Sequence, residues 1–267
     1  MICEVTAMTF SDFHFFSNAL GVQVTVHVLM PPVEVMEQKK TRLPCLYLLH
    51  GLSDDHTMWM RQTRLEFYAR KYRTAIVMPA VNRSFYTDMV QGAKYFTFVS
   101  EELPAVMERY FPISDDRKDR FAAGLSMGGY GAMKLGLRCP DRYAAVASFS
   151  GALEMEKSWQ NNRRGDDFLR ELDAVFGGEK AMKNSDNNLA RLARRLAKTP
   201  EKAPRIYVAC GTEDFLFEAN NSFVKAFGKK LNIEYFTEPG AHTWDFWDKH
   251  IEKALEWFRL PEAENVW

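Results

Sequence analysis

The segment Gly124-Leu125-Ser126-Met127-Gly128 sets a serine between two glycines, straight after the apolar run Phe121-Ala122-Ala123 and just before the small-residue stretch Tyr130-Gly131-Ala132-Met133-Lys134-Leu135. A strand that reverses sharply into a helix strains its turn residue, and neighbours without side chains relieve the crowding. Ser126 on such a turn stands above the carboxyl edge of a sheet with a helix N-terminus beneath it, the arrangement of a nucleophile elbow. A plain glycine-rich turn shows the same five residues, so the remaining chain must supply the partners a nucleophile needs.

A serine hydroxyl is a weak nucleophile near neutral pH and requires a base within hydrogen-bond reach, held in turn by a third group. The chain has six histidines. His14 and His27 fall in early strand segments, His50 and His56 flank the loop after the first core strand, and His250 lies in a helical C-terminal stretch where partial exposure is expected. His242 differs. It stands in the glycine-containing loop of "EPGAHTWDF", between a short strand (Ile233 to Phe236) and the last helix. Loops at that end of an α/β sheet assemble its site, so His242 is the expected general base.

The chain order serine, acid, histidine calls for a carboxylate between the two. Asp214 follows the strand "RIYVAC" and is the expected acid; Glu213 on the same turn, with Asp245 and Asp248, are its rivals. Acyl transfer also needs donors aimed at an oxyanion. The backbone N–H of Met127, just after the serine, is one candidate, and that of Leu52 in His50-Gly51-Leu52-Ser53 is the other, with His50 bracing the loop. Trp59, Phe85, Tyr86, Trp244 and Trp247 gather near these loops, and Trp59, Tyr86 and Trp244 are taken as substrate-pocket residues. Asp54-Asp55-His56 raises the question of a metal, but a short acidic cluster without matching ligands elsewhere reads as a solvated loop. Neither metal nor other cofactor is expected.

These residues need a scaffold. Met8 to Met30 alternates as a strand pair, "VQVTVHV" most clearly. A polar segment, Glu34 to Arg42, leads into continuous apolar runs at "PCLYLLHG", "TAIVMPA", "RFAAG", "AAVASFSG" and "PRIYVACG", which suit strands buried on both faces. Helical stretches are expected at Thr63 to Tyr72, Phe98 to Tyr110, Gly129 to Cys139 and Asn220 to Lys230. The alternation predicts a mostly parallel central sheet with helices on both faces, and with the serine elbow and the order serine, acid, histidine it is read as an α/β-hydrolase fold. A charged stretch at about 152–204, with "NNLARLARRLAK" as an amphipathic surface helix, reads as a helical insertion before the acid-bearing strand in an otherwise single domain spanning 1–267.

At 267 residues and 46% hydrophobic content the chain can bury one large core. Lys+Arg and Asp+Glu both number 35, so no net field recruits nucleic acid or an anionic membrane. No apolar run approaches the roughly 20 residues of a membrane span, and Met1-Ile2-Cys3-Glu4 carries no export signal. With Cys3, Cys45, Cys139 and Cys210 scattered, free thiols and a cytoplasmic location are expected.

The blocks "LYLLHGLSDDHTMW", "FYTDM", "EELPAVMERYFP", "AGLSMGGYGAMKL", "ASFSGAL", "CGTEDFLFEANN" and "HTWDFW" together resemble the tributyrin-esterase branch of the esterase D group. That group also holds S-formylglutathione hydrolases and, more distantly, mycolyl transferases. The matching blocks run from about Pro44 to Trp247. The resemblance implies a metal-free carboxylesterase preferring short acyl chains, with Ser126, Asp214 and His242 as triad and Leu52 and Met127 as oxyanion donors. It also implies self-association as a dimer or tetramer. Gly129-Tyr130-Gly131 replaces the Gly-His-Gly of the glutathione-thioester enzymes, which disfavours that substrate. The alternatives kept in view are an S-formylglutathione hydrolase, a feruloyl or acetyl esterase of plant polysaccharide, an acyltransferase with the same triad, and a non-catalytic binding protein.

Overall fold

The computed structural model describes residues 7–161 and 164–264; Cys3 and the opening Met1-Ile2-Cys3-Glu4 lie outside them. Eight strands form one sheet: β1 (Thr9–Ser17), β2 (Val22–Met30), β3 (Cys45–Leu49), β4 (Ala75–Pro79), β5 (Arg120–Leu125), β6 (Ala145–Phe149), β7 (Arg205–Gly211) and β8 (Ile233–Glu238). Their order is β1-β2-β4-β3-β5-β6-β7-β8. β1 and β2 pair antiparallel, as do β2 and β4, and every pairing from β4 to β8 is parallel. This is the expected α/β-hydrolase fold.

The burial of the central strands follows from their sequences. Every residue of β3, β4, β5 and β6 is buried, because period-two alternation sends apolar side chains to two covered faces. One face carries Cys45, Tyr47, Val77, Ala122, Val146 and Val208 against the helices Leu103–Tyr110, Met127–Arg138, Leu189–Leu196 and Phe217–Leu231. The other carries Leu46, Leu48, Ile76, Ala123, Ala147 and Ala209 against Leu65–Ala69 and Trp244–Trp257. β8, at an edge, keeps Glu234, Phe236 and Thr237 exposed, and charge on an edge strand discourages further pairing.

Several boundaries differ from expectation for physical reasons. The stretch Thr63 to Tyr72 is only a five-residue helix, Leu65–Ala69, following a second one at Met58–Gln62. Extended Thr63, whose hydroxyl donates to Trp59 O at 2.5 Å, separates the two. The polar segment after β2 begins with a further short helix, Val33–Glu37, anchored by buried Val35. Glu102 splits the next helical stretch. It closes a π turn, Phe98–Glu102, while accepting from Asn18 N at 2.6 Å and Ala19 N at 3.2 Å in the β1–β2 turn. Between β6 and β7 the segment is helical, and Leu189–Leu196 buries Leu189, Leu192, Ala193 and Leu196 on one stripe with Asn188 as its N-cap.

Cys45 and Cys210 are buried free thiols and Cys139 is a half-buried one. Burial pushes the Cys45 and Cys210 thiols up to about 12, which keeps them unreactive. Among the described residues no helix is long and apolar enough to cross a membrane.

Candidate active site

The sheet's strand order reverses at β3, with β4 on one side and β5 on the other. The crevice outside the carboxyl ends at such a switch point is where open α/β sheets bind ligands. Leu52 follows β3 and Ser126 follows β5, so both lie at that crevice. Ser126 has φ 53° and ψ −115°, left-handed backbone for a residue with a Cβ. Three contacts hold it there: its N–H donates to Phe149 O at 2.9 Å, and its carbonyl accepts from Tyr130 N and Ala152 N at 3.1 Å each. The turn closes only because its flanks are bare. A Cβ on Gly124 would lie 2.5 Å from the Gly128 backbone, and one on Gly128 would lie 2.3 Å from Leu49 O.

His242 reaches the serine from the loop after β8. Its Nε2 is 3.0 Å from Ser126 Oγ and its Nδ1 is 2.8 Å from Asp214 Oδ2. Asp214, on the turn after β7, is buried and accepts Leu216 N–H on Oδ1 at 2.8 Å. Burial opposes its charge, but hydrogen bonds from His242, Ser150 and the Leu216 amide prevail and hold the carboxyl below its ordinary range. An ionised Asp214 fixes the proton of His242 on Nδ1, which leaves Nε2 free to accept from the serine hydroxyl.

The rival acids are elsewhere. Glu213 is exposed and contributes its backbone N–H to Gly240 O at 2.9 Å, tying the β7 turn to the histidine loop. Asp245 is exposed. Asp248 accepts Arg64 N–H at 2.8 Å and the Tyr68 hydroxyl at 2.9 Å.

The N–H groups of Leu52 and Met127 point to no acceptor among the described residues, and both residues line the same cavity as Ser126. Met127 opens its helix, where amide hydrogens lack intrahelical partners and the dipole favours negative charge. The Leu52 loop is braced from behind. His50 Nδ1 donates to Gly51 O at 2.7 Å, while its Nε2 accepts Val81 N–H at 3.0 Å. Burial pushes the His50 imidazole down to about 4, so the ring is neutral near pH 7 and can do both. The Tyr86 hydroxyl donates to His50 O at 2.9 Å. Behind Tyr86, the buried Lys134 donates to Tyr86 O at 3.0 Å and Thr87 Oγ1 at 2.8 Å.

The cavity above Ser126 measures about 320 Å³. Phe85, Met155, Phe168, Phe215, Leu216 and Ala219 wall it, with Glu154, Lys157, Arg164 and Glu218 adding charge. This corrects the pocket expectation: none of Trp59, Tyr86 and Trp244 lines it. Trp59 is fully buried with its indole N–H on Leu49 O at 3.1 Å, and Tyr86 is fully buried on His50. Half-buried Trp244 packs edge-on between Trp59 and Trp247 at 5.4 and 5.2 Å, and Trp247 meets the His242 ring at 4.8 Å. The three therefore support the site from beneath.

The cavity's own lining includes residues that sequence reasoning passed over. Phe85 adjoins Tyr86, and both have φ 49°, so the chain turns there and separates the two rings. Ala152, Glu154, Met155 and Phe168 come from the segment read as an insertion; their position directly after a strand's carboxyl end was the available signal. His250 also departs from expectation. It is wholly buried between the Tyr207 hydroxyl at 2.8 Å and Glu238 at 2.9 Å, and burial pushes its imidazole down to about 4.

Known proteins share this architecture. The model of the Esterase family matches residues 17–258. The acetyl esterase of Caldicellulosiruptor saccharolyticus is 31% identical, over 94% of this chain and 98% of that protein. Among solved structures, the fluorophosphonate-binding serine hydrolase FphF of Staphylococcus aureus superposes with a TM-score of 0.86 at 28% identity, covering 94% of this chain and 98% of its own. The S-formylglutathione hydrolase FrmB of the same organism gives 0.83 at 29%, with the same coverage.

Proposed function

The chain belongs to the Esterase family and is a carboxylic ester hydrolase, and from that premise we propose that it is a serine carboxylesterase for short-chain acyl esters, acetyl esters foremost, of the tributyrin-esterase branch. One observation carries the proposed mechanism: a single imidazole spans Ser126 Oγ at 3.0 Å and a buried carboxylate at 2.8 Å. As Ser126 attacks the ester carbonyl, His242 Nε2 takes the hydroxyl proton, and Asp214 stabilises the imidazolium. The Leu52 and Met127 amides, otherwise unsatisfied, hold the oxyanion of the tetrahedral intermediate. Collapse expels the alcohol, protonated by His242, and leaves an acyl-enzyme. Water deprotonated by the same nitrogen then releases the acid and restores Ser126.

The acyl range follows from size. A cavity of about 320 Å³ is at the small end for ligand sites, which span roughly 300–1,000 Å³, and it must also admit part of the alcohol. Similarity to an acetyl esterase along nearly the whole of both chains supports the same choice. The S-formylglutathione hydrolase relative supports a thioester as second substrate, with Lys157 and Arg164 at the cavity as counter-charges for a carboxylate-bearing thiol.

The test is hydrolysis of p-nitrophenyl acetate, butyrate and octanoate, methyl ferulate and S-formylglutathione by the wild type and Ser126→Ala. Acetate or butyrate should be preferred, and the variant should lose turnover by about a million-fold, as when a triad acts as one unit. Near-wild-type turnover by folded Ser126→Ala refutes the mechanism. A preference for ferulate or S-formylglutathione refutes the acyl assignment.

A further inference from the structure

Away from the cavity, three side chains from separate elements converge. Asp12 of β1 and His27 of β2 are direct cross-strand partners, with Asp12 Oδ1 2.8 Å from His27 Nε2. His56, from the loop between β3 and the helix Met58–Gln62, meets the His27 ring edge-on at 4.5 Å. One carboxylate oxygen and one nitrogen from each ring all lie within 4.8 Å of one another. None of the three lines the cavity at Ser126.

The hydrogen bonding of this cluster is incomplete. His27 is only 7% exposed, and its Nδ1, like Nδ1 of His56, is buried without a hydrogen-bond partner. With the Nε2 hydrogen of His27 directed at Asp12, its Nδ1 carries a lone pair that faces no donor. Buried nitrogens left in that condition are uncommon, because each forfeits its hydration. His27 meets Asp12 through Nε2, so of the two unpartnered atoms only His56 Nδ1 is left for an electron-pair acceptor held between the three side chains to relieve.

We infer that Asp12, His27 and His56 form a binding site for a divalent transition-metal ion of the zinc class. Two imidazoles and one carboxylate are a borderline-soft donor set that suits zinc over magnesium or calcium. Bonds of about 2.0–2.1 Å at tetrahedral angles place neighbouring ligand atoms roughly 3.3 Å apart. The 2.8 Å Asp12–His27 contact thus has to open by about half an ångström to admit the ion, while the His56 nitrogen, within 4.8 Å of the other two ligand atoms, has to close in. Asp12 is exposed and His56 half-buried, so both have room to adjust, and water can fill the fourth position. Asp55 adds a second negative charge that acts on His27. A plain Asp–His ion pair with a second imidazole stacked against it leaves His56 Nδ1 unsatisfied.

The site would bear on the enzyme through one loop. His56 shares with Leu52 the segment after β3, where Asp54 accepts Gly51 N–H at 3.1 Å. An ion on His56 fastens that segment to the β1–β2 hairpin.

The experiment begins with full-length protein stripped by a chelator and dialysed against buffered micromolar zinc. The wild type should retain one zinc per chain and gain thermal stability. Asp12→Asn and His56→Gln should each weaken zinc binding by roughly tenfold or more, abolish the zinc-dependent gain, and leave zinc-free ester hydrolysis, the check on folding, unchanged. His14→Gln, a control on the same strand, should bind zinc like the wild type. Cobalt bound to wild-type protein should show the visible absorption of a low-coordinate nitrogen and oxygen site, a readout that needs no variant. Failure of the wild type to retain zinc, equal retention by the Asp12 and His56 variants, or cobalt absorption like that of the free hydrated ion each overturns the assignment.

Discussion

Replacing Lys134 by Met should change how stability depends on pH, and in a direction the structure dictates. Lys134 is fully buried on the helix that begins at the serine turn, with Nζ bonded to Tyr86 O and Thr87 Oγ1 and, among the described residues, no carboxylate paired with it. Burial, followed by the nearby Arg138 guanidinium, drives its amine well below 10.5, although Asp88 and Asp186 act weakly the other way. The faces of Phe96 and Tyr130, at 4.9 and 5.5 Å, also favour the cation but cannot replace lost hydration. Between the folded-state pKa and 10.5, the unfolded chain therefore binds a proton that the folded chain lacks. Stability must rise with pH across that window, by about 1.4 kcal/mol per pH unit once the folded amine is neutral.

Methionine removes this dependence and also two hydrogen bonds, worth about 0.5–1.5 kcal/mol each. Urea unfolding of both proteins at a series of pH values between about 7 and 9 isolates the contribution, since all other groups titrate alike in the two. The stability of the wild type relative to Lys134→Met should grow by up to about 1.4 kcal/mol for each pH unit. A difference that stays constant with pH would mean that Lys134 keeps its proton when buried, and the electrostatic reasoning would be wrong.

Two further outcomes concern the proposed chemistry. Asp214→Asn keeps the shape of the buried turn but removes the charge that orients His242, so kcat should fall about ten-thousandfold with KM little altered; a loss below tenfold in steady-state assays would remove Asp214 from the mechanism. Phe85→Leu opens the cavity wall without touching the triad, so kcat/KM for octanoate relative to acetate should rise by roughly tenfold, and an unchanged ratio would place the acyl chain elsewhere.

Much of this was legible in the residues because it depends on local rules. Glycine on both sides of Ser126 is required by contacts of 2.3 and 2.5 Å that any Cβ would make. Short continuous apolar runs alternating with helical stretches suit strands covered twice, and that topology sends Asp214 and His242 to one edge. The pocket was not legible, because burial of an aromatic ring is a tertiary quantity. Trp59 and Tyr86 sit near site loops in sequence, yet each finds a main-chain carbonyl inside the molecule, while Phe85, one residue from Tyr86, faces the cavity. His250 lies among charged residues of a helix and is buried only because Tyr207 and Glu238, from neighbouring strands, satisfy both its nitrogens. The metal question turned on the same limit: His56 has acidic neighbours in sequence, but the side chains it meets, Asp12 and His27, come from the edge hairpin.

The order in which the sheet is laid down has a consequence for the newborn chain. Ser126 follows β5, Asp214 follows β7, and His242 follows β8, which among the described residues is both the last strand in sequence and the outermost on its side. A ribosome releases these parts in that order, and domains emerging from it acquire structure from the N-terminal end. A chain halted before β8 would carry its serine elbow with no base beside it. Ester cleavage on the proposed mechanism thus begins only after β8 has docked, which makes turnover a built-in signal that sheet assembly has reached that strand.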